Sequence, residues 1–170
     1  MAVNEKIVVK DACVLFDLID LGLVAAFFQL DLIVFTTPQV LSEIVDPLQM
    51  AEVDLYIVNG KLMIESSGLL ETIVEISDTH PGLSFTDSSV LELALRINGV
   101  VLSSDKSLRN VATRQNLQVR GVLWIIEELY NHNIITLDFA VTKLQEYPRV
   151  NDRAPVKETG ARINKLRGPA

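Results

Sequence analysis

Cysteine is almost absent from this chain: Cys13 is the single one among 170 residues. An internal disulfide is therefore excluded, which fits a reducing compartment. Cys13 lies in an apolar, helix-like run and is expected to be a buried small hydrophobe. Histidine is scarce too. His80 beside Pro81-Gly82 and His132 near a helix end read as surface residues, and no Ser–His–Asp set or zinc-spaced Cys/His cluster is evident. There is no Walker loop and no GxGxxG. Long apolar runs are missing as well. The longest, Leu21 to Leu30, is too short to span a bilayer and is bounded by Asp20 and Asp31. The first residues lack the basic–apolar–small order of a signal peptide. These absences lead to the expectation of a soluble, cytoplasmic protein without membrane association.

What the chain does have is apolar bulk, 49% of its residues, in a length that suits one domain with a substantial core. Its formal charge of -7 does not advertise a nucleic-acid binder. The charge is unevenly spread. Residues 149–170 carry Arg149, Arg153, Lys157, Arg162, Lys165 and Arg167 against Asp152 and Glu158, a net +4, which leaves -11 on the remainder. The division expected is therefore a domain over residues 1–148 and a basic tail over 149–170. That tail is either a solvated arm meeting a phosphate-bearing surface or a clasp across the core.

Strand-like and helix-like segments alternate. Ile7–Lys10, Leu32–Phe35, Leu62–Ile64, Val100–Ser103 and Leu117–Val119 read as short buried strands. Residues 12–19 and 21–29 read as helices. Thr37 with Pro38 opens a helix over 38–46, and Pro47 starts the next, which Asn59-Gly60 stops. A helix over 68–78 closes at Pro81-Gly82. Ser84-Phe85-Thr86-Asp87 has the form of a capping box for a helix running to Ile97. Helices over 106–115, 122–132 and 137–146 follow, the last ending before Pro148. Such alternation predicts an α/β fold with a parallel sheet covered on both faces.

Four acids stand where strands end or helices begin: Asp11, Glu43, Asp87 and Asp105. In an open α/β sheet the carboxyl ends of the strands line one crevice. Carboxylates brought there from distant segments repel one another unless a cation joins them. Their hard oxygens select Mg²⁺ or Mn²⁺, which suits metal-assisted phosphodiester hydrolysis. Each acid also has an ordinary structural explanation. Asp11 and Asp105 could cap the helices that follow them, Asp87 could complete the capping box, and Glu43 could be an exposed helix residue. Asp17 and Asp20 are further candidates that a solvated helix face explains equally well. A phosphoacceptor receiver domain also clusters aspartates, but it needs an acidic pair where Lys10-Asp11 stands and a lysine where Arg120-Gly121 stands.

The stretches Ile7–Asp11, Thr37–Ile44, Leu83–Leu91, Val101–Arg109 and Val119–Ile125 resemble, in type, order and spacing, those of the PIN domain family, and more narrowly its VapC-type toxins. The resemblance spans about residues 7–145. It implies a three-layer α/β/α fold around a parallel, roughly five-stranded sheet, and a Mg²⁺- or Mn²⁺-dependent endoribonuclease acting on RNA. It implies Asp11, Glu43, Asp87 and Asp105 as metal-binding and catalytic residues. Asp11 and Asp87 are then direct ligands, and Glu43 and Asp105 act through water. Ser84 and Ser104 are candidate hydrogen-bond partners behind them. Lys106 and Arg109 are candidates to touch phosphate, against the plainer reading of a solvated helix face. A homodimer and a small antitoxin partner are implied in the same way. The alternative is a catalytically weak module of the same fold that binds RNA or a protein.

Overall fold

Five short strands pair side by side, all parallel, in a computed structural model that describes residues 5–9, 12–66 and 68–168. They are β1 (Glu5–Val9), β2 (Leu32–Thr36), β3 (Leu62–Ile64), β4 (Val100–Leu102) and β5 (Val119–Arg120). The sheet order is β3-β2-β1-β4-β5. Ile7 pairs with Val34 on one side and Val100 on the other, and Val9 pairs with Leu102. The chain therefore steps outward from β1 to β3 and then crosses back to continue from β1 in the other direction. The reversal lies between β1 and β4, the place where an open parallel sheet leaves a crevice at its carboxyl edge.

The chain divides into two compact units. The first comprises residues 1–14 and 31–120 and holds the whole sheet. Its helices are α3 (Pro38–Ser42), α4 (Pro47–Val58), α5 (Leu70–Thr79), α6 (Phe85–Ile97) and α7 (Lys106–Arg114). Helix α6 packs against β1, β4 and α3, α4 against β3, and α7 against β5. Val40, Val90, Leu91, Leu93, Val101 and Leu108 form the centre of its apolar core. Burial at this scale, about 1.5–3 kcal/mol per large side chain, holds the helices on the sheet.

The second unit comprises residues 15–30 and 121–170. It holds most of α1 (Ala12–Asp20), then α2 (Val24–Phe27), α8 (Val122–Asn131), α9 (Leu137–Val150) and α10 (Val156–Arg167). Helices α2 and α9 pack on α8, and α10 packs on α9. No helix among the described residues is long and apolar enough to cross a membrane.

The parallel five-stranded sheet with flanking helices is the architecture expected, and several boundaries differ for visible reasons. Helix α3 stops at Ser42 rather than residue 46. Asp46 must be extended to cap α4, and a residue before proline avoids the helical region. The last strand starts at Val119, two residues late. Asn116 is left-handed and Leu117 N–H donates to Ala112 O at 3.0 Å, so Leu117 belongs to the stop of α7. Helix α9 continues through Pro148 although the ring gives up the bond to Leu144 O, and buried Tyr147 anchors that turn.

Much of the basic stretch, Val156–Arg167, is helical. It forms α10, whose Arg162 and Lys165 pair with the buried carboxylate of Glu127 on α8. Cys13 is exposed, contrary to expectation, because Val14, Leu15 and Leu18 take the buried face of α1. Asp17 is buried on that same face, where a solvated position was considered.

Candidate functional site

Asp87 enters through the first turn of α6. Ser84 Oγ accepts from Asp87 N–H at 3.0 Å, and Asp87 Oδ2 accepts from Ser84 N–H at 2.7 Å. This reciprocal capping box fixes the rotamer of Asp87, which is only 6% exposed. Ser84 thus supports Asp87 through its backbone as well as its hydroxyl. Within the run Ser84–Ser89 the Ser84 hydroxyl does the capping, whereas Ser88 Oγ and Ser89 Oγ donate to the carbonyls of Ser84 and Thr86.

Asp105 follows β4 and caps α7, its Oδ1 accepting from Leu108 N–H at 2.9 Å. Its own N–H donates to Ser103 Oγ at 3.0 Å. Ser103 is fully buried, whereas the expected partner Ser104 is exposed. The i to i+2 spacing of a hydroxyl turn was the signal that favoured Ser103. Arg109 does not lie on a solvated face. Its guanidinium donates to Ser103 O at 2.8 Å and to Arg120 O at 3.3 Å, and so ties the end of β4 to that of β5. It is a positioning residue for the loop that bears Asp105. Lys106 is exposed.

Glu43 ends α3 and is exposed. What places α3 is a buried hydroxyl chain that the sequence reading missed. Val40 N–H donates to Thr37 Oγ1 at 3.3 Å, and Thr37 Oγ1 lies 3.0 Å from Ser89 Oγ. Ser89 Oγ donates to Thr86 O at 2.7 Å. Since the single Ser89 proton is spent there, Thr37 donates to Ser89. The segments carrying Glu43 and Asp87 are thereby joined through hydrogen bonds whose groups are sealed from water. A buried hydroxyl left unpaired costs about 1–3 kcal/mol, so the junction is specific.

The topology brings the supporting segments to one region of the sheet unit. Helix α6 packs on β1 and β4, α3 packs on α6, and β1 ends beside β4 at the point where strand order reverses. Asp11, two residues past Val9, lies outside the described residues. Among the described residues no three His, Cys, Asp or Glu side chains gather into a metal-holding group, so Glu43, Asp87 and Asp105 do not close one by themselves. Two of them nonetheless present carboxylates already oriented by backbone N–H groups.

The two remaining candidates, Asp17 and Asp20, belong to the second unit. Asp20 is exposed on α1. Asp17, in the second unit, accepts from Asn151 Nδ2 at 2.8 Å. Burial pushes its carboxyl above the usual range, while hydrogen bonds from Asn151 and Tyr147 oppose the shift and Asp20 adds to it.

Three comparisons bear on this arrangement. Residues 7–159 match the family described as DUF3368: PIN domain. The chain is 34% identical over 89 residues to a protein named Endoribonuclease Nob1 of Methanocaldococcus jannaschii. That match covers 52% of this chain and 45% of the relative, so the chain aligns with less than half of that protein. The crystal structure of PAE2754 from Pyrobaculum aerophilum superposes with a TM-score of 0.52 over 74% of this chain and 96% of that one. At 16% identity this last likeness concerns the fold alone.

Proposed function

The chain belongs to the PIN domain family, and from that premise we propose that it is a metal-dependent endoribonuclease, the toxin of a toxin–antitoxin pair. One observation carries the nuclease reading. Asp87 caps α6, which packs on β1 and β4, and Asp105 follows β4 and caps α7, while the sequence supplies Asp11 just past β1. The similarity to a protein named as an endoribonuclease supports RNA as the substrate.

The donor set is all carboxylate, with no thiolate or imidazole, and it suits a hard cation once Asp11 joins it. Asp11, Asp87, Asp105 and Glu43 would hold Mg²⁺ or Mn²⁺, which supplies phosphate polarisation and a more acidic water. The residues themselves have distinct tasks. Each aspartate cap accepts from a backbone N–H through one oxygen, and a carboxylate can accept at more than one position. Asp87, nearly buried, would serve as a fixed ligand. Asp105 and the exposed Glu43 would orient the attacking water; as its oxygen bonds to phosphorus and the bond from phosphorus to the leaving ribose oxygen breaks, a carboxylate oxygen of Glu43 would take its proton and solvent would protonate the leaving oxygen. Arg109 and Ser103 hold the Asp105 loop still, which preserves the alignment on which such chemistry depends.

In this reading residues 1–148 carry the chemistry. Residues 149–170 contribute the exposed cations Arg149, Arg153, Lys157 and Arg167 toward an anionic partner. A homodimer, a small antitoxin and a cytoplasmic location belong to the same proposal. The second reading, a module that binds RNA or protein without turnover, draws on the fact that helix capping alone explains Asp87 and Asp105.

Cleavage of labelled RNA separates the two. The nuclease reading expects cleavage in Mg²⁺ or Mn²⁺, loss on chelation, return on re-addition, and loss in Asp87→Asn. RNA bound by a folded protein but left intact at high protein concentration supports the binding module instead.

A further inference from the structure

Helix α4 is apolar on two sides: Met50, Val53, Tyr56 and Ile57 are buried or half-buried, and a second apolar stripe faces outward. Of its twelve residues only Val53 is buried, while Leu48, Leu55 and Val58 are 82%, 57% and 84% exposed. Together with exposed Ala51 they recur at spacings of three, four and three, which is an a-d-a-d seam of the kind that meets another helix. At 100° per residue the four side chains fall within an arc of about 80°, on the side away from Val53. A solvent-facing heptad seam of this kind is unusual, since a surface helix ordinarily turns its apolar stripe inward.

The flanking charges choose the occupant. With Leu48 at a, the e and g positions are Glu52 and Asp54, both acidic. Residues 46–58 hold Asp46, Glu52 and Asp54 and not a single Lys or Arg. A second copy of α4 laid on this seam would set carboxylates against carboxylates at both margins. RNA would meet the same repulsion. A helix with aliphatic seam residues and lysine or arginine at its margins meets both requirements, since e and g charges set partner choice in helix pairs.

We propose that α4 is a docking face for a basic amphipathic helix of a different protein, seated on the Leu48–Ala51–Leu55–Val58 seam and flanked by Glu52 and Asp54. The surface needs none of the catalytic carboxylates, so it stands or falls separately from RNA cleavage.

The test uses the full chain and two labelled peptides of about three heptads, each with leucine at a and d, one with lysine and the other with glutamate at e and g. Anisotropy titrations should show the lysine peptide bound at least about tenfold more tightly than the glutamate peptide, a difference that salt reduces. Leu48→Ser with Leu55→Ser should weaken it by about tenfold or more. Glu52→Lys with Asp54→Lys should reverse the preference toward the glutamate peptide. Circular dichroism confirms that the variants remain folded, as substitutions of exposed side chains should. Equal affinity for both peptides, binding of neither, or no response to charge reversal overturns the proposal. So does sedimentation of the wild type as a dimer that the double serine variant dissolves, because the occupant would then be a second copy.

Discussion

Asp87 and Asp105 each cap a helix, and the proposed mechanism would give their carboxylates a chemical task as well, a division that conservative variants test. Asparagine keeps an acceptor for the capping N–H groups of Ser84 and Leu108. Asp87→Asn and Asp105→Asn should therefore change stability by under about 1 kcal/mol while lowering cleavage by about 100-fold or more. Melting curves and RNA cleavage measured on the same preparations check this, and parallel loss of both would reduce the two residues to caps. Thr37 offers the converse. Thr37→Val leaves Val40 N–H and Ser89 Oγ without their partner, and urea unfolding should register a loss of about 1–3 kcal/mol. Asp17 is a third case, governed by pH. A carboxyl whose folded pKa lies above its unfolded value adds stability below the unfolded pKa, near 4, and that contribution is lost as pH rises through the folded value. Denaturant titrations through the acidic range should show the wild type losing stability relative to Asp17→Asn as pH rises. Parallel profiles would remove Asp17 from the account.

Among the elements, legibility followed local chemistry. The caps at Thr37 and Ser84, the proline at the start of α4 and the Asn59-Gly60 stop were readable because each rests on hydrogen bonds or backbone angles within a few residues. Contacts between distant segments were not readable. Nothing near Ser89 announces Thr37, and nothing near Arg109 announces the carbonyl of Arg120. The inward turn of Asp17 and the outward turn of Cys13 likewise depend on which face of α1 is covered, which helical spacing alone leaves open. The brace behind β3 has the same long-range character. Glu92 accepts from Gly68 N–H and Arg96 Nε, each at 3.0 Å, while Arg96 also donates to Ser66 O at 3.0 Å. A Cβ at position 68 would lie 2.7 Å from Glu92 Oε1. Gly68→Ala should therefore displace the Glu92 carboxylate and lower stability by about 1–3 kcal/mol in urea unfolding. An unchanged midpoint would show that the brace yields freely.

For the whole molecule, the sequence conveyed the sheet, its parallel sense and the family, because strand and helix alternation recurs over the full length and five motifs keep their order. It did not convey the division into two units, nor the use of the basic stretch as α10 with Arg162 and Lys165 on Glu127. Net charge described that stretch as a tail, but composition does not reveal which charges are already paired. The site was legible as a list of acids and only partly as an assembly. Asp87 and Asp105 have defined supports, Glu43 stands at the end of a short helix, and Asp11 follows the central strand in sequence. The central claim is that these carboxylates act together on one hard cation. Titration of Mn²⁺ into the protein, followed by electron paramagnetic resonance, tests it most directly. The account predicts binding by the wild type and affinity at least about tenfold weaker in each of Asp11→Asn, Asp87→Asn and Asp105→Asn. Mn²⁺ affinity equal to wild type in all three folded variants would contradict it.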